Sequence, residues 1–426
     1  MKAVCKIIAG ALCLCLLAAC TGGQSSGLPE EGSSPQDFTT LPDGMRPDGA
    51  PQTEPDAMGS VLPYRAMWIS YLEWPLFDTS SAGAFTESVC TVLDNCVSLG
   101  LNTVIVQVRP FSDAIYPSQI YPWSHVINGT QGQDPGFDPL AVFVEQAHTR
   151  GLLIEAWINP YRVRLNSGPL VDALAADNPA VLHPDWVRET DSGLYYDPSR
   201  PEVQEMVTQG VIEVIRNYKV DGIQFDDYFY PTMDEAFDAD RFAEYGAGQT
   251  LAEWRRANVN TLVQKVYETI KAEKPAVVFG ISPQGNNDNN YTQQYSDIGL
   301  WMATPGYVDY IMPQVYWGFD YTTQNGSQRY AFGNIIDEWL AMPRDASVSL
   351  AFGLGAYRIG EGDGSWAESE EWQSGRNLAD MARLLSARGA DGYALYRYEQ
   401  LFGPSQYAEL VAAERAALAE ANGKNG

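Results

Sequence analysis

From Tyr64 onward the chain alternates eight times between a short apolar run and a longer amphipathic stretch. Short apolar runs bounded by turn residues predict buried strands, and amphipathic stretches predict helices. Eight such pairs over roughly 360 residues predict an α/β fold, namely a (β/α)8 TIM barrel with enlarged βα loops. The predicted strands are 64–70, 103–108, 152–159, 222–227, 277–283, 309–317, 347–355 and 392–398. The predicted helices lie near 81–99, 138–150, 201–217, 250–273, 296–304, 332–341, 373–388 and 405–420.

An open, doubly wound sheet is the main alternative to a barrel. That fold usually carries a glycine-rich phosphate-binding turn after its first strand, and no such turn follows residue 70. Gly100 and Gly151 each follow a helical pattern and lead into a predicted strand, as a glycine just past a helix C-terminus does. The pattern therefore favours the closed barrel.

The first twenty residues read as an export signal. Lys2 and Lys6 precede an apolar run over 7–17 that is too short for a permanent membrane span. The run ends in Leu17-Ala18-Ala19-Cys20, which resembles the bacterial lipobox and implies cleavage before Cys20 and lipidation of that residue. An ordinary secretory signal with a coincidental cysteine is the alternative. We expect a protein anchored by lipid to the outer face of the cell membrane.

The rest of the chain divides into three parts. Residues 21–60, rich in Gly, Ser and Pro, predict a flexible tether. Residues 61–421 form the predicted barrel, and 422–426 a disordered tail. Within the barrel, Cys90 and Cys96 lie six residues apart on one predicted helix and face different directions, so they are expected to be free thiols.

Charge and histidine content exclude several classes of function. The chain has 27 Lys and Arg against 54 Asp and Glu, for a formal net charge of −27. Such a surface repels phosphate backbones, so no nucleic-acid partner is expected. The three histidines stand at positions 125, 148 and 183, which leaves little room for a histidine-built metal site. We therefore expect neither a metal nor another cofactor.

Parity along the strands indicates which polar residues face the barrel interior. Alternate residues of a strand point to opposite faces, so Glu155, Trp157 and Asn159 share one face, as do Gln224 and Asp226. Polar groups near the carboxyl ends of several strands are typical of barrel active sites. The other strand ends contribute Gln107, Arg109, Gln314 and Tyr316.

Carboxylates are the candidate catalytic groups. Asp226 and Asp227 end the fourth predicted strand, where adjacent carboxylates need donors, a cation or a raised pKa. Glu155 faces inward in mid-strand and is either paired with a basic residue or catalytic. Glu399, just past the eighth strand, is a reserve candidate. Asp221 and Asp309 stand at strand starts, where a structural role is expected.

Aromatic residues gather around these acids. Flat amphipathic rings suit the C–H faces of sugars, and amides and guanidinium groups orient sugar hydroxyls. Acids, aromatics and amides together indicate a glycan cleft. The predicted substrate-binding residues are Trp68, Gln107, Arg109, Trp157, Asn159, Tyr161, Arg162, Tyr228, Gln314, Tyr316, Trp317 and Tyr398.

Eight segments of the predicted barrel form a distinctive set: Gly100–Pro110, Asp113–Ser118, Pro122–His125, Asp138–Leu140, Ala156–Arg162, Asp221–Pro231, Gly280–Asn286 and Asp309–Trp317. Together they resemble the glycosyl-hydrolase-like 10 family of secreted and lipid-anchored bacterial barrels. The resemblance runs from about Arg65 to Tyr398. It implies a barrel acting on cell-wall glycans, with Asp113 as a further substrate-binding residue. Glu155 and Gln224 depart from the pattern, because many relatives are expected to have histidine there.

Residues and resemblance together predict a lipid-anchored glycoside hydrolase. It would cleave glycosidic bonds of an extracytoplasmic polysaccharide, with peptidoglycan strands as the expected substrate, by carboxylate acid/base catalysis. A non-catalytic glycan-binding lipoprotein on the same scaffold is the first alternative. A metal-dependent hydrolase ranks last, because His148 and His183 fall in a predicted helix and a loop.

Overall fold

The computed structural model describes residues 61–167 and 173–424. The predicted signal, the tether and Cys20 lie outside these residues. Within the described ranges, no helix combines the length and the apolar character that a bilayer span requires.

Eight parallel strand positions close into a barrel, which confirms the predicted fold. The barrel order is β1-β2-β3-β7-β8-β9-β11-β12, and β12 pairs back onto β1. β10 continues the sixth position beyond Met312-Pro313, so the predicted strand 309–317 is interrupted. The described strands are β1 (Tyr64–Ile69), β2 (Thr103–Arg109), β3 (Leu153–Ile158), β4 (Arg162–Leu165), β5 (Val187–Thr190), β6 (Gly193–Tyr196), β7 (Gly222–Phe225), β8 (Val278–Ile281), β9 (Tyr310–Ile311), β10 (Gln314–Val315), β11 (Ser349–Gly355) and β12 (Gly392–Tyr396).

Helices between the barrel strands form the outer layer. The predicted helix 405–420 is present as α13, and an additional short helix, α12, precedes it. The eighth strand ends at Tyr396 rather than at 398. The described α-helices are α1 (Ala82–Ser98), α2 (His125–Asn128), α3 (Pro139–Thr149), α4 (Pro179–Leu182), α5 (Pro201–Asn217), α6 (Ala239–Tyr245), α7 (Leu251–Glu273), α8 (Asn287–Thr292), α9 (Ile298–Ala303), α10 (Phe332–Leu340), α11 (Asn377–Ala387), α12 (Tyr398–Phe402) and α13 (Ala408–Ala421).

Large side chains fill the barrel interior, and glycines on neighbouring strands make room for them. A Cβ atom at Gly280 would overlap the ring of Tyr310, and one at Gly353 would lie 2.9 Å from the indole of Trp68. Because real Cβ contacts are longer, these positions require glycine. The interior cluster also contains Ala66, Ile105, Trp157, Met312, Ala351 and Ala394.

Four polar residues fasten the amino-terminal end of the barrel. Each stands immediately before a barrel strand and accepts the backbone N–H of the preceding barrel strand at 2.6–3.0 Å. We call them the latch residues. Asn102 accepts from the N–H of Arg65, Asp221 from that of Ile154, Asp309 from that of Phe279, and Asp391 from that of Leu350. Asp221 and Asp309 thus have the structural role that their positions predicted.

Two features depart from the prediction. An antiparallel sheet, β4-β6-β5, is inserted after β3 and was not anticipated. The predicted disordered tail was wrong at Asn422, which is buried, donates to the carbonyl of Leu99 (2.7 Å) and accepts from the hydroxyl of Tyr393 (2.8 Å). These bonds satisfy polar groups that α13 brings to the barrel wall. Cys90 and Cys96 are free, as expected.

Candidate active site

Asp226 follows the last residue of β7, at the carboxyl end of the barrel. Its side chain is buried and takes hydrogen bonds from Trp157 Nε1 (3.1 Å), Asn159 Nδ2 (2.5 Å) and the backbone N–H of Tyr228 (3.4 Å). Trp157 belongs to β3, and Asn159 follows that strand directly. The Asp226 side chain is therefore directed toward the third barrel position.

The electrostatic setting of Asp226 favours its neutral form. Burial, followed by the charge of Asp227, raises the pKa of Asp226 to about 7, while Arg162 acts in the opposite direction. A carboxyl group with a pKa near neutrality can hold a proton and deliver it to a leaving group. Asp226 thus has the properties of a general acid.

Asp227 faces a different wall of the barrel mouth. Gln314 Nε2 on β10 donates to its Oδ1 (3.1 Å) and also to the carbonyl of Ser282 (3.0 Å). Burial raises the pKa of Asp227, and the hydrogen bond from Gln314 partly offsets this. The two aspartates therefore diverge, Asp226 toward the third barrel position and Asp227 toward the sixth.

Sequence reasoning missed the residues that surround Asp227. In the amide orientation that satisfies its neighbours, Gln294 donates to the backbone carbonyl of Asp227 (3.0 Å) and accepts from Gln284 Nε2 (3.1 Å). Ser282 and Gln284 follow β8 directly. The polar residues that follow the apolar strand β8 could have identified Ser282 and Gln284 as site residues. Nothing in the local sequence pattern around Gln294 indicated its role.

Arg162 is the cation that acts on both aspartates. It begins β4 of the inserted sheet, is buried, and donates Nε to the carbonyl of Pro110 (2.9 Å). Its guanidinium lies 5.4 Å from the ring centre of Tyr228 and 4.9 Å from that of Phe111. Its charge lowers the pKa of both carboxyl groups. The unanticipated sheet therefore tunes the site.

Glu155 lies deeper in the barrel, in the layer below Trp157. It accepts hydrogen bonds from the hydroxyls of Tyr64 (2.9 Å) and Tyr310. Burial raises its pKa to about 7, against the effect of these two donors. The hydroxyl of Tyr310 in turn accepts a hydrogen bond from Gln224 Nε2 (2.8 Å). Glu155 is thus enclosed by neutral donors, an outcome that differs from the basic partner considered from the sequence.

Glu399, the reserve candidate, pairs with a basic side chain rather than with neutral donors. It forms an ion pair with Arg397 at 2.8 Å, and Arg397 also pairs with the buried Glu73 at 2.5 Å. Its charge is therefore shared with a structural cluster at the start of α12.

Five of the predicted aromatic and amide residues line the mouth or the interior beneath it. The Trp68 indole donates to Gln224 Oε1 (2.6 Å), and the ring of Tyr316 stacks on Tyr396 with centres 5.7 Å apart. Trp317 stacks on Tyr330 at 4.9 Å, and the half-exposed ring of Tyr228 borders Arg162. Gln107 accepts from the backbone N–H of Tyr71 (3.1 Å).

Four predicted substrate-binding residues bond to or pack against residues other than the aspartate pair. Arg109 follows a register shift in β2, and its guanidinium donates to the carbonyls of Phe111 and Pro160. Asp113 is fully buried and accepts from His125 Nδ1 (2.7 Å). Tyr161 is fully buried in the outer core.

Tyr398 is the fourth. It lies in α12, stacks on Phe402 and accepts from Asn95 Nδ2 (2.7 Å) on α1. Parity holds only while a strand continues, and it fails at Arg109 and Tyr398, because β2 shifts register and β12 ends at Tyr396.

Three buried polar atoms in this region have no hydrogen-bond partner: Gln107 Nε2, Asn159 Oδ1 and Ser282 Oγ. A buried polar group without a partner is costly, so each can gain a hydrogen bond from a ligand. In the described ranges, no group of three or more His, Cys, Asp or Glu side chains is placed to hold a metal ion.

A family model of glycosyl hydrolase-like 10 proteins matches residues 63–372, well over half of the chain. The chain belongs to the glycosyl hydrolase-like 10 family. The matched segment contains the Asp226–Asp227 pair, the inserted sheet and Gln314. The predicted membership is confirmed.

Two relatives show how far the similarity extends. Glycosyl hydrolase YngK of Bacillus subtilis strain 168 is 38% identical over 355 residues, covering 78% of this chain and 68% of YngK. Glycosyl hydrolase DigH of Escherichia coli K12 is 33% identical over 409 residues, covering 87% of this chain and 89% of DigH.

Solved structures show the same fold at low sequence identity. α-L-Fucosidase isoenzyme 2 of Paenibacillus thiaminolyticus has a TM-score of 0.52 and 16% identity, covering 83% of this chain and 49% of the fucosidase chain. The glycoside hydrolase domain of PgaB from Bordetella bronchiseptica has a TM-score of 0.51 and 11% identity, covering 82% of this chain and 98% of that chain. Both likenesses concern the barrel alone.

Proposed function

We propose that this protein is a glycoside hydrolase that cleaves a polysaccharide outside the cytoplasmic membrane, with peptidoglycan glycan strands as substrate. The observation that carries the proposal is the buried Asp226–Asp227 pair at the mouth of a barrel from a glycosyl hydrolase-like family. The pair combines a raised pKa with neutral donors and neighbouring aromatic rings, as sugar cleavage requires.

Asp226 acts as the general acid in this proposal. Its raised pKa keeps a proton available, and Trp157 and Asn159 hold the carboxyl group while the proton moves to the glycosidic oxygen. Asp227, held by Gln314 on the other wall, is the counterpart, since its negative charge stabilises the positive charge that develops on the sugar. Whether Asp227 attacks the anomeric carbon or activates a water is decided by the anomeric form of the first product, read by NMR.

Lipid anchoring at Cys20 belongs to the same proposal and rests on the lipobox-like Leu17–Cys20. Multiple acyl chains hold a protein on a membrane stably. A Cys20→Ala variant is expected to leave the membrane fraction, and fatty-acid labelling of wild type should be lost in this variant. Continued labelling of the variant would assign the lipid to another residue, and an unlabelled wild type would exclude lipidation.

The catalytic proposal is tested by product analysis. Full-length protein in detergent is incubated with peptidoglycan, peptide-free glycan strands and chitin oligomers, and products are read by mass spectrometry. We expect new reducing ends from wild type and from Asp221→Asn, but not from Asp226→Asn. Asp221→Asn is the matched control, because it makes the same change at the opposite end of the barrel.

A non-catalytic glycan-binding protein is the second outcome of this experiment. The unpartnered buried atoms of Gln107, Asn159 and Ser282 fit binding as well as cleavage. Binding without reducing ends, equal in wild type and Asp226→Asn, would favour that function and overturn the hydrolase.

A further inference from the structure

Two enlarged loops above the barrel are joined into one unit. Loop 316–331 connects β10 to α10, and loop 356–376 connects β11 to α11. The Asp363 carboxylate accepts the backbone N–H of Gly318 (2.7 Å), and Glu371 accepts that of Phe319 (2.6 Å). Because side chains of one loop satisfy backbone donors of the other, the loops hold each other in place. We call this unit the loop platform.

The loop platform presents an indole to solvent. Trp366 is 67% exposed, more than any other large apolar side chain in the described ranges. Its backbone N–H donates to the carbonyl of Thr322 (2.8 Å), and the neighbouring Ser365 Oγ accepts from the Thr322 N–H (3.0 Å). The segment that carries the ring is therefore anchored, although the ring is left open. A fixed, exposed aromatic surface is suited to stacking on a flat ligand.

The first loop of the platform also borders an open depression of about 510 Å³. Its lining begins at Thr323, directly after the residue that anchors Trp366. Arg329 is its one charged lining residue, and this charge is paired with Asp288 and Glu338 at 2.6 Å each. The other lining residues are Thr323, Gln324, Asn325, Ser327 and Tyr330. Hydroxyls and amides around a cation that already pairs with two carboxylates favour a ligand rich in hydroxyl groups.

Aromatic stacking connects the depression to the aspartate pair. Tyr330 lines the depression and stacks on Trp317. Trp317 lies three residues after Gln314, which holds Asp227. The residues that lead from Asp227 toward the depression are thus an amide, Gln314, and two aromatic rings, Trp317 and Tyr330. A chain of sugars, with alternating C–H faces and hydroxyls, matches such a path better than the apolar core of a protein interface does.

We propose that the loop platform is a distal subsite that binds a glycan chain several sugar units from the cleaved bond, with Trp366 as its stacking residue. This inference rests on the proposed function, because it identifies the substrate as a long strand rather than a short oligosaccharide. Binding energy gained far from the reacting bond raises kcat/KM only for chains long enough to reach it. The platform therefore confers a preference for long strands.

The test compares chain lengths in full-length protein. Kinetics are measured with long peptide-free glycan strands and with a tetrasaccharide from the same polymer. Trp366→Ala is expected to lower kcat/KM on long strands by roughly tenfold and to leave the tetrasaccharide within about twofold. Trp366→Tyr should restore most of the activity on long strands. Tyr245→Ala, which removes an exposed ring (54%) on α6, is the matched control and should change neither value.

A binding measurement distinguishes failure of this inference from failure of the proposed function. In the Asp226→Asn background, Trp366→Ala is expected to weaken retention on long strands immobilised in a gel about tenfold, without affecting the tetrasaccharide. An unchanged long-to-short ratio in Trp366→Ala, or an equal loss at both lengths, overturns the distal subsite. Failure of the hydrolase proposal appears instead as the absence of reducing ends from wild type, and the binding ratio then decides the subsite by itself.

Discussion

The two ends of the barrel both carry aspartates but use them in opposite ways. At the amino-terminal end, the latch aspartates 221, 309 and 391 accept a backbone N–H and also pair with a basic side chain, at 2.9, 2.7 and 2.8 Å respectively. At the carboxyl end, Asp226 and Asp227 lie next to each other, are buried, and take hydrogen bonds from neutral donors.

This difference separates stability from chemistry. A carboxylate that pairs with a basic side chain and accepts from a backbone donor is stabilised in its charged form. It therefore contributes favourably to the free energy of folding. A buried carboxyl group beside another one is held away from its preferred charge state, which costs folding free energy but gives a group that exchanges protons near neutral pH. Whether replacing an aspartate lowers stability or lowers activity should therefore depend on the end of the barrel where it lies.

The largest effect is expected from Asp226→Asn. Loss of the general acid should lower kcat/KM by roughly 10²–10⁴-fold, while the melting temperature stays equal or rises, because a buried acid with a raised pKa has been removed. Both quantities are measured on the same preparation. A large fall in melting temperature would mean that Asp226 is a structural residue like those at the other end.

Asp227→Asn should change the pH dependence of activity. The charge of Asp227 raises the pKa of Asp226, so its removal lowers that pKa. The alkaline limb of the remaining kcat/KM profile is then expected at lower pH. Activity at neutral pH should fall by roughly 10²-fold or more, because the counterpart of the general acid is lost. An alkaline limb that does not move would show that the two carboxyl groups do not interact in the active enzyme.

Stability should depend on pH through the same pair. The pKa of Asp226 is about 7 in the folded chain and near 4 in the unfolded chain, so the folded state binds more protons between these values. Stability contributed by this group is present at low pH and is lost as pH rises toward 7. Wild type should therefore lose on the order of 1–3 kcal/mol more than Asp226→Asn between pH 4 and 7. Denaturant unfolding at several pH values measures the difference, and parallel curves would contradict it.

A latch variant should show the reverse pattern. Asp309→Ala removes the acceptor for the Phe279 N–H and the partner of Lys271, so unfolding should become easier by about 1–2 kcal/mol, with kcat/KM unchanged. Asp191→Ala in an exposed turn is the control and should alter neither quantity. Loss of activity without loss of stability would break the division between the two ends.

The smallest effect is expected from Glu155→Gln. The amide oxygen can accept from the Tyr310 hydroxyl, and the amide NH2 can donate to the Tyr64 hydroxyl. Glu155 also lies a layer below the residues that contact Asp226. Activity should remain within about threefold of wild type. A loss above a hundredfold would instead make Glu155 the counterpart of Asp226.

The barrel, its strands and Asp226 were predictable because each follows from a local, repeating pattern. Strand parity correctly directed Asp226, Trp157 and Asn159 to one place. It failed at Arg109 and Tyr398, because a register shift in β2 and the early end of β12 broke the alternation.

The sequence by itself determined the fold, the family and the pair of acids, since periodicity and motif spacing are properties of neighbouring residues. Only the tertiary structure decided what each acid contacts. Gln314 reaches Asp227 across 87 positions, and Tyr310 reaches Glu155 across 155. Charge state, and with it the chemistry, depends on burial and on such distant partners, which no local pattern encodes.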